Sequence, residues 1–211
     1  GQFIMTDVNG GYVNTSVGIL PTDPNPTTDV PLFDNKSFTY DGSLDFVSMG
    51  NVLNMADDGT DAYSLSCWFK TTSTSTQMLI AKQLVGMPYN GFNLYLSDSG
   101  LRFYWILGTL TSSAYIAGTS IQNGTIRNGN WHHVCLTYDG SQDISGFELY
   151  YDGIPIVFTT ASNNTPSAVS NTVDFMIGAR GTSTSSALRF TGSIDDASYF
   201  NSELTQEQVT E

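Results

Sequence analysis

The stretch NWHHVCLTYDGSQDISGFELYYD, Asn130 to Asp152, decides the fold. Two runs of alternating apolar residues, Trp131 to Tyr138 and Phe147 to Tyr151, flank a polar connection that holds Asp139-Gly140 and Gly146. A second Asp-Gly pair, Asp152-Gly153, follows. Alternation with period two marks strands, and Asp-Gly pairs supply the positive φ angles that tight turns need, so the stretch reads strand, turn, strand, turn. Side chains alternate sides along an extended chain. Val134, Leu136 and Tyr138 therefore share one face, and His133, Cys135 and Thr137 share the other. One face is core and the other is a candidate working surface.

Further turn signals punctuate the chain from Ser37 onward: Asp41-Gly42, Asp58-Gly59, Asp98-Ser99-Gly100, Asn123-Gly124 and Asn128-Gly129. Short runs between such signals predict antiparallel strands in a two-sheet sandwich. Helix is nearly absent from the pattern. Thr205 followed by Gln208 offers a capping box for one short helix near the C-terminus. The first 36 residues differ, because Pro21, Pro24, Pro26 and Pro31 are four of the seven prolines. They predict an extended arm over 1–36 with a strand near Gly11 to Val17, ahead of one domain over 37–211. The arm serves either as an edge strand and connector or as a contact to a neighbouring subunit.

Composition narrows the function. With 211 residues, 40% hydrophobic and 13% charged, the chain fits one all-β domain with a core. The net charge of −13, from 20 acidic and 7 basic side chains, repels phosphate backbones and anionic lipid. Nucleic acid is therefore not an expected partner. No apolar run approaches the roughly 20 residues of a membrane span, so membrane insertion is not expected either. Cys67 shares parity with Leu65 and Phe69, while Cys135 shares it with His133, so the two thiols are expected on opposite faces and unbonded. Asn-x-Ser/Thr triplets at Asn14, Asn35, Asn123 and Asn163 are no more than this composition gives by chance.

The ordered series of motifs resembles the laminin G-like jelly rolls of the concanavalin A-like lectin and glucanase superfamily. It runs Phe38-Thr39-Tyr40-Asp41-Gly42, Tyr63 to Lys70, Gly91-Phe92-Asn93-Leu94, Trp131 to Gly140, Leu149 to Gly153, Ile177-Gly178, Phe190 to Asp196, and Leu204 to Gln208. The resemblance implies an all-β, two-sheet antiparallel jelly-roll sandwich. It also implies a structural Ca²⁺ held by Asp195 and the carbonyl of Gly42, hard oxygen ligands of the kind calcium takes. Asp196 stands where a Glu is usual.

Catalysis is not expected. Glycoside hydrolysis needs two facing carboxyl groups, and the acidic strand of the superfamily's glucanases has no counterpart here, Glu being confined to Glu148, Glu203, Glu207 and Glu211. His132 and His133 are adjacent on a strand, so they point to opposite faces and do not share a ligand. Taking Leu65, Leu94, Phe103, Leu136 and Leu149 as core leaves Trp68, Asn93, Tyr95, Arg102, Tyr104, His133 and Tyr150 on the opposite side. Rings among amides and an Arg can stack on sugar faces and bond their hydroxyls; the same residues can equally pack under a covering segment or another subunit. The expectation is a lectin-like recognition module acting outside the cytoplasm on a glycan or a protein surface. The alternative is a structural or decorating subunit of a virus particle or other surface assembly, with homo-oligomers among its forms.

Overall fold

A computed structural model of the chain describes residues 3–4, 25–27, 37–53, 60–86, 91–98, 100–106, 113–118, 123–163, 171–182 and 185–210. For 3–4, 25–27, 103–106, 113–118, 123, 158–163 and 185 the backbone alone is described. In chain order the first strands are β1 (Phe3–Ile4), β2 (Asn25–Thr27), β3 (Ser37–Asp41), β4 (Val47–Ser48), β5 (Tyr63–Lys70) and β6 (Gln77–Gln83). Next come β7 (Gly91–Ser97), β8 (Gly100–Ile106), β9 (Ser113–Gly118), helix α1 (Asn123–Ile126), β10 (His132–Tyr138), β11 (Phe147–Tyr151) and β12 (Ile154–Pro155). The chain ends with β13 (Phe158–Asn163), β14 (Met176–Ile177), β15 (Arg180–Thr182), β16 (Ser185–Ala187), β17 (Thr191–Phe200) and helix α2 (Gln206–Thr210).

These strands form two antiparallel sheets. The front sheet runs β12-β11-β10-β5-β17-β3-β2, with β1 also paired to β17; the back sheet runs β13-β9-β8-β7-β6-β14-β4. A separate hairpin, β15-β16, rises from the back sheet next to β6. The fold is an all-β jelly-roll sandwich.

The parity read from the sequence is the parity of the core. Val134, Leu136 and Tyr138 of β10, Tyr63, Leu65, Cys67 and Phe69 of β5, and Phe147, Leu149 and Tyr151 of β11 belong to one buried cluster with Leu79, Ile80, Phe92, Leu94 and Leu96 of the back sheet. Leu136 lies in register with Leu65 on one side and Leu149 on the other. Aromatic rings close one end of this layer: Tyr138 stacks on Phe147 at 4.2 Å between centroids, and Tyr63 lies 5.4 Å from Tyr138. Cys67 sits in this cluster, Cys135 sits outside it with Tyr150 and Val209, and both thiols are free.

The turns follow their residues. Asp152 and Gly153 have φ of +49° and +75°, the paired positive values of a two-residue hairpin turn between β11 and β12. Between β10 and β11 the connection is longer than the Asp139-Gly140 signal alone suggests, for it includes a 3₁₀ turn at Ile144–Gly146 capped by the Asp143 carboxylate. In α2 the capping box forms as expected: the Thr205 N–H donates to Gln208 Oε1 at 3.0 Å, and the Gln208 N–H donates to Thr205 Oγ1 at 3.4 Å. The strand expected near Gly11 to Val17 lies outside the described residues. The described parts of the arm are β1 and β2, and β2 carries Pro26 at the sheet edge, where a missing N–H costs no ladder bond.

Leu136 is fully buried. Leu136→Asp is expected to abolish folding, because an unpaired carboxylate there costs several kcal/mol, on the order of a domain's whole stability. Loss of the β-sheet circular dichroism signal and of a cooperative melt is the expected result; a normal melt would invert the strand parity.

Candidate functional site

The seven residues expected on one working face divide between the two outer faces of the sandwich. Asn93, Tyr95, Arg102 and Tyr104 belong to the back sheet, where Asn93 is in register with Tyr104 and Tyr95 with Arg102. Trp68, His133 and Tyr150 belong to the front sheet, where Trp68 is in register with His133. A core separates the two groups, and face-to-face sheets lie about 10 Å apart. The single seven-residue surface is therefore corrected to two, because alternation fixes which side of its own sheet a residue takes and is silent on which sheet a strand joins.

Three of the seven are covered by the chain itself. Tyr95 packs with Met78, Ala81 and Leu188, the last next to the β15-β16 hairpin. Asn93 is buried; its Nδ2 donates to Gln83 Oε1 at 2.6 Å, an oxygen that also accepts from Arg180 Nη1 at 2.7 Å. Tyr150 is buried with Cys135 under Leu204 and Val209 of the C-terminal segment, and its hydroxyl donates to the Glu148 carboxylate. Burial first, and then Glu148, pushes the Tyr150 phenol well above its ordinary value. Arg102 is half-buried, and the Tyr104 side chain lies outside the described residues.

Past the C-terminal segment, the front sheet carries a line of four side chains, three of them reachable and the fourth, Asp195, buried. Trp68 and His133 are both half-buried, with ring centroids 5.3 Å apart at 44°. On the β17 side Asp195 is in register with Trp68. Across β10, Asp152 closes on His133: the His133 N–H donates to Asp152 Oδ1 at 2.8 Å and the Asp152 N–H donates to the His133 carbonyl at 2.8 Å. The order is Asp152, His133, Trp68, Asp195. One step along the sheet, Lys70, Ser193 and Thr39 form the next row. The C-terminal segment occupies the opposite end of this face, where Ser64 Oγ donates to the Ser202 carbonyl and accepts from the Leu204 N–H.

The two histidines behave differently. His132 is buried, its ring stacked on Tyr151 at 4.9 Å, with Nδ1 2.9 Å from Asp152 Oδ2 and Nε2 3.1 Å from Asn128 Oδ1. It holds the strand end in place and takes no part in the outer face. Burial holds the His133 imidazole below its ordinary value, against a smaller upward pull from Asp152.

Asp195 and Gly42 do not fit a shared calcium ion. Gly42 follows Asp41, whose ladder partner is Thr191, and Asp195 lies four residues further along β17. At about 3.3 Å per residue that is about 13 Å, whereas two oxygens on one Ca²⁺ lie within about 5 Å of each other. Asp195 Oδ1 instead accepts the N–H of Asp196 at 2.9 Å, which holds Asp196 at a φ of +45° where β17 shifts register. Gly42 stands where a Cβ would meet Thr191 Oγ1 at 2.0 Å, so close packing and a φ of +76° account for the glycine. Among the described residues, no three His, Cys, Asp or Glu side chains gather as a metal would need.

The sequence reading passed over Asp152 and Lys70, although Lys70 shares the parity of Trp68 two residues on. Lys82 escaped it too: buried at the sandwich end, its Nζ donates to Asn51 Oδ1 at 2.8 Å and the Val173 carbonyl at 2.6 Å, and burial lowers its pKa to about 8.

A family profile described as concanavalin A-like lectin/glucanases superfamily, of the laminin G type, matches residues 41–210. The chain belongs to this superfamily. Among its solved structural relatives is the binding domain of Paraclostridial Mosquitocidal Protein 1, with a TM-score of 0.65 and 14% identity over 90% of this chain. This chain spans 45% of that one, less than half its length. Domain 4 of AbnA, a GH43 extracellular arabinanase from Geobacillus stearothermophilus, was solved with arabinotriose. It has a TM-score of 0.59 and 17% identity over 89% of this chain and 79% of its own. The Ruminococcus gnavus IT-sialidase CBM40 has a TM-score of 0.56 and 16% identity over 77% of this chain and 94% of its own. No curated protein sequence matches. At such identities these likenesses establish the superfamily's fold.

In this lectin-like fold two measurements test the local geometry. Burial holds the His133 imidazole below its ordinary value when folded, while the unfolded chain takes up a proton near pH 6.5. Its contribution is therefore complete above about pH 6.5 and declines as the pH falls below it. His133→Gln is expected to flatten that part of the curve of melting temperature against pH. Asp195→Ala removes a charge-assisted bond of about 1.5–3 kcal/mol, and the resulting drop in melting temperature is expected to be equal in calcium and in EDTA. A drop seen only in calcium would restore the metal.

Proposed function

We propose that this chain is a non-catalytic glycan-binding module and that the saccharide sits on the outer face of the front sheet, over Trp68 and His133. The observation that carries this reading is the half-buried Trp68 ring, tilted against His133 at 5.3 Å on a sheet face with acidic and hydroxyl side chains on either side. An aromatic face binds the apolar C–H side of a sugar ring, and neighbouring polar groups fix the hydroxyls. The back sheet offers less, because Tyr95 and Asn93 are enclosed. The relatives add support: the arabinanase domain was solved with arabinotriose, and the sialidase module with α2,6 and α2,3 sialyllactose. A module that binds glycans acts where glycans are displayed, outside the cytoplasm, either as part of a longer secreted protein or on a particle surface.

A broad glycan array followed by Trp68→Ala tests the reading. Removal of a central aromatic anchor costs about 2 kcal/mol, so affinity is expected to fall roughly 30-fold while the circular dichroism spectrum stays that of the wild type. Arg102→Ala is expected to leave affinity unchanged. Loss of binding in Arg102→Ala but not in Trp68→Ala would move the site to the back sheet. An array without any ligand would remove the lectin reading and leave the structural or decorating role.

A further inference from the structure

We propose that the Trp68 platform selects uncharged saccharides and rejects acidic ones, a specificity that rests on the glycan-binding reading above. The argument is electrostatic. Asp152 and Asp195 bracket the two rings, one beyond His133 and the other beyond Trp68. Neighbouring strands are about 4.8 Å apart, so a sugar centred over the rings has a carboxylate position roughly 7 Å away on each side. That is within the Debye length of about 8 Å at physiological salt. His133 brings no compensating charge, since its burial keeps the imidazole neutral at pH 7. Lys70 is the one cationic side chain of these two rows, and Ser193 and Thr39 beside it are neutral. Two negative charges against one positive leave the platform acidic, within a chain whose net charge is −13.

Hydrogen-bond chemistry points the same way. A carboxylate only accepts, with about four lone-pair sites on its two oxygens. Asp152 uses one site for the His133 N–H and directs Oδ2 at the His132 ring, and its side chain is 41% exposed, so sites remain for a ligand. A sugar hydroxyl can donate to it. The carboxylate of a sialic or uronic acid, or a sulfate, cannot donate and brings like charge. Asp195 is buried beside Trp68, where its field is less screened by water than that of a surface group.

The experiment pairs each neutral glycan core with its sialylated and sulfated counterparts, on an array and then by calorimetric titration of the whole chain. The neutral member is expected to bind about 3-fold tighter than its acidic counterpart, as the one net negative charge left after Lys70 at this separation implies. The gap is expected to narrow in 0.5 M salt and in Asp152→Asn and Asp195→Asn, which keep shape and remove charge. Equal or tighter binding of the acidic members, or a gap that neither substitution nor salt changes, overturns the proposal while the glycan-binding reading stands. Binding of neither kind overturns both. Melting curves of the two variants confirm that each is folded, and either variant alone suffices for the comparison.

Discussion

The row Leu149, Leu136, Leu65, held in register across β11, β10 and β5, is the constraint on which the rest depends. A slip of one residue in either ladder would turn every side chain of a strand over, sending leucines to solvent and Trp68, His133 and Cys135 into the core. Burial of these leucines against Leu79, Ile80, Phe92 and Leu94 of the back sheet fixes the register. The register in turn places Trp68 beside His133. A core interaction thus sets the geometry of the outer surface.

Each outer face is partly covered by the chain's own segments, and this decides what is left for recognition. On the back sheet Leu188 closes over Met78, Ala81 and Tyr95. On the front sheet Leu204 and Val209 close over Cys135 and Tyr150, clamped by Ser64. Apolar outer residues attract these covers, since an aromatic ring removed from water contributes more than a serine or lysine does. The Trp68 end of the front face carries Lys70, Ser193 and Thr39 in the row next to it. Those polar neighbours, with Thr39 and Ser193 hydroxyls 3.4 Å apart, offer an apolar cover little to bury.

Charge divides the molecule in a second way. Carboxylates engage backbone N–H groups at several turns: Asp41 Oδ1 accepts from Ser43 and Leu44, Asp139 from Ser141, and Asp143 from Ser145. These are local bonds that hold turns in shape. Part of the acidity of the chain therefore has a structural use, and a cluster of Asp residues in such a sequence is a poor guide to a metal. The Asp195 bond to Asp196 belongs to the same class, even though it lies on the candidate face.

The sequence by itself determined the strands of the central hairpin, the side each residue takes, the separation of the two thiols and the capping box of α2. All of these follow from interactions between near neighbours or from simple alternation, so periodicity and turn chemistry carry them. Only the tertiary structure decided that Asn93 and Trp68 lie on opposite faces of the molecule, that Tyr95 and Tyr150 are enclosed, that Asp152 joins His133, and that Gly42 and Asp195 stand apart. Each of those depends on which strand pairs with which and in what register, over separations of tens to more than a hundred residues. Alternation repeats identically in every strand, and so it holds no record of the sheet to which a strand belongs.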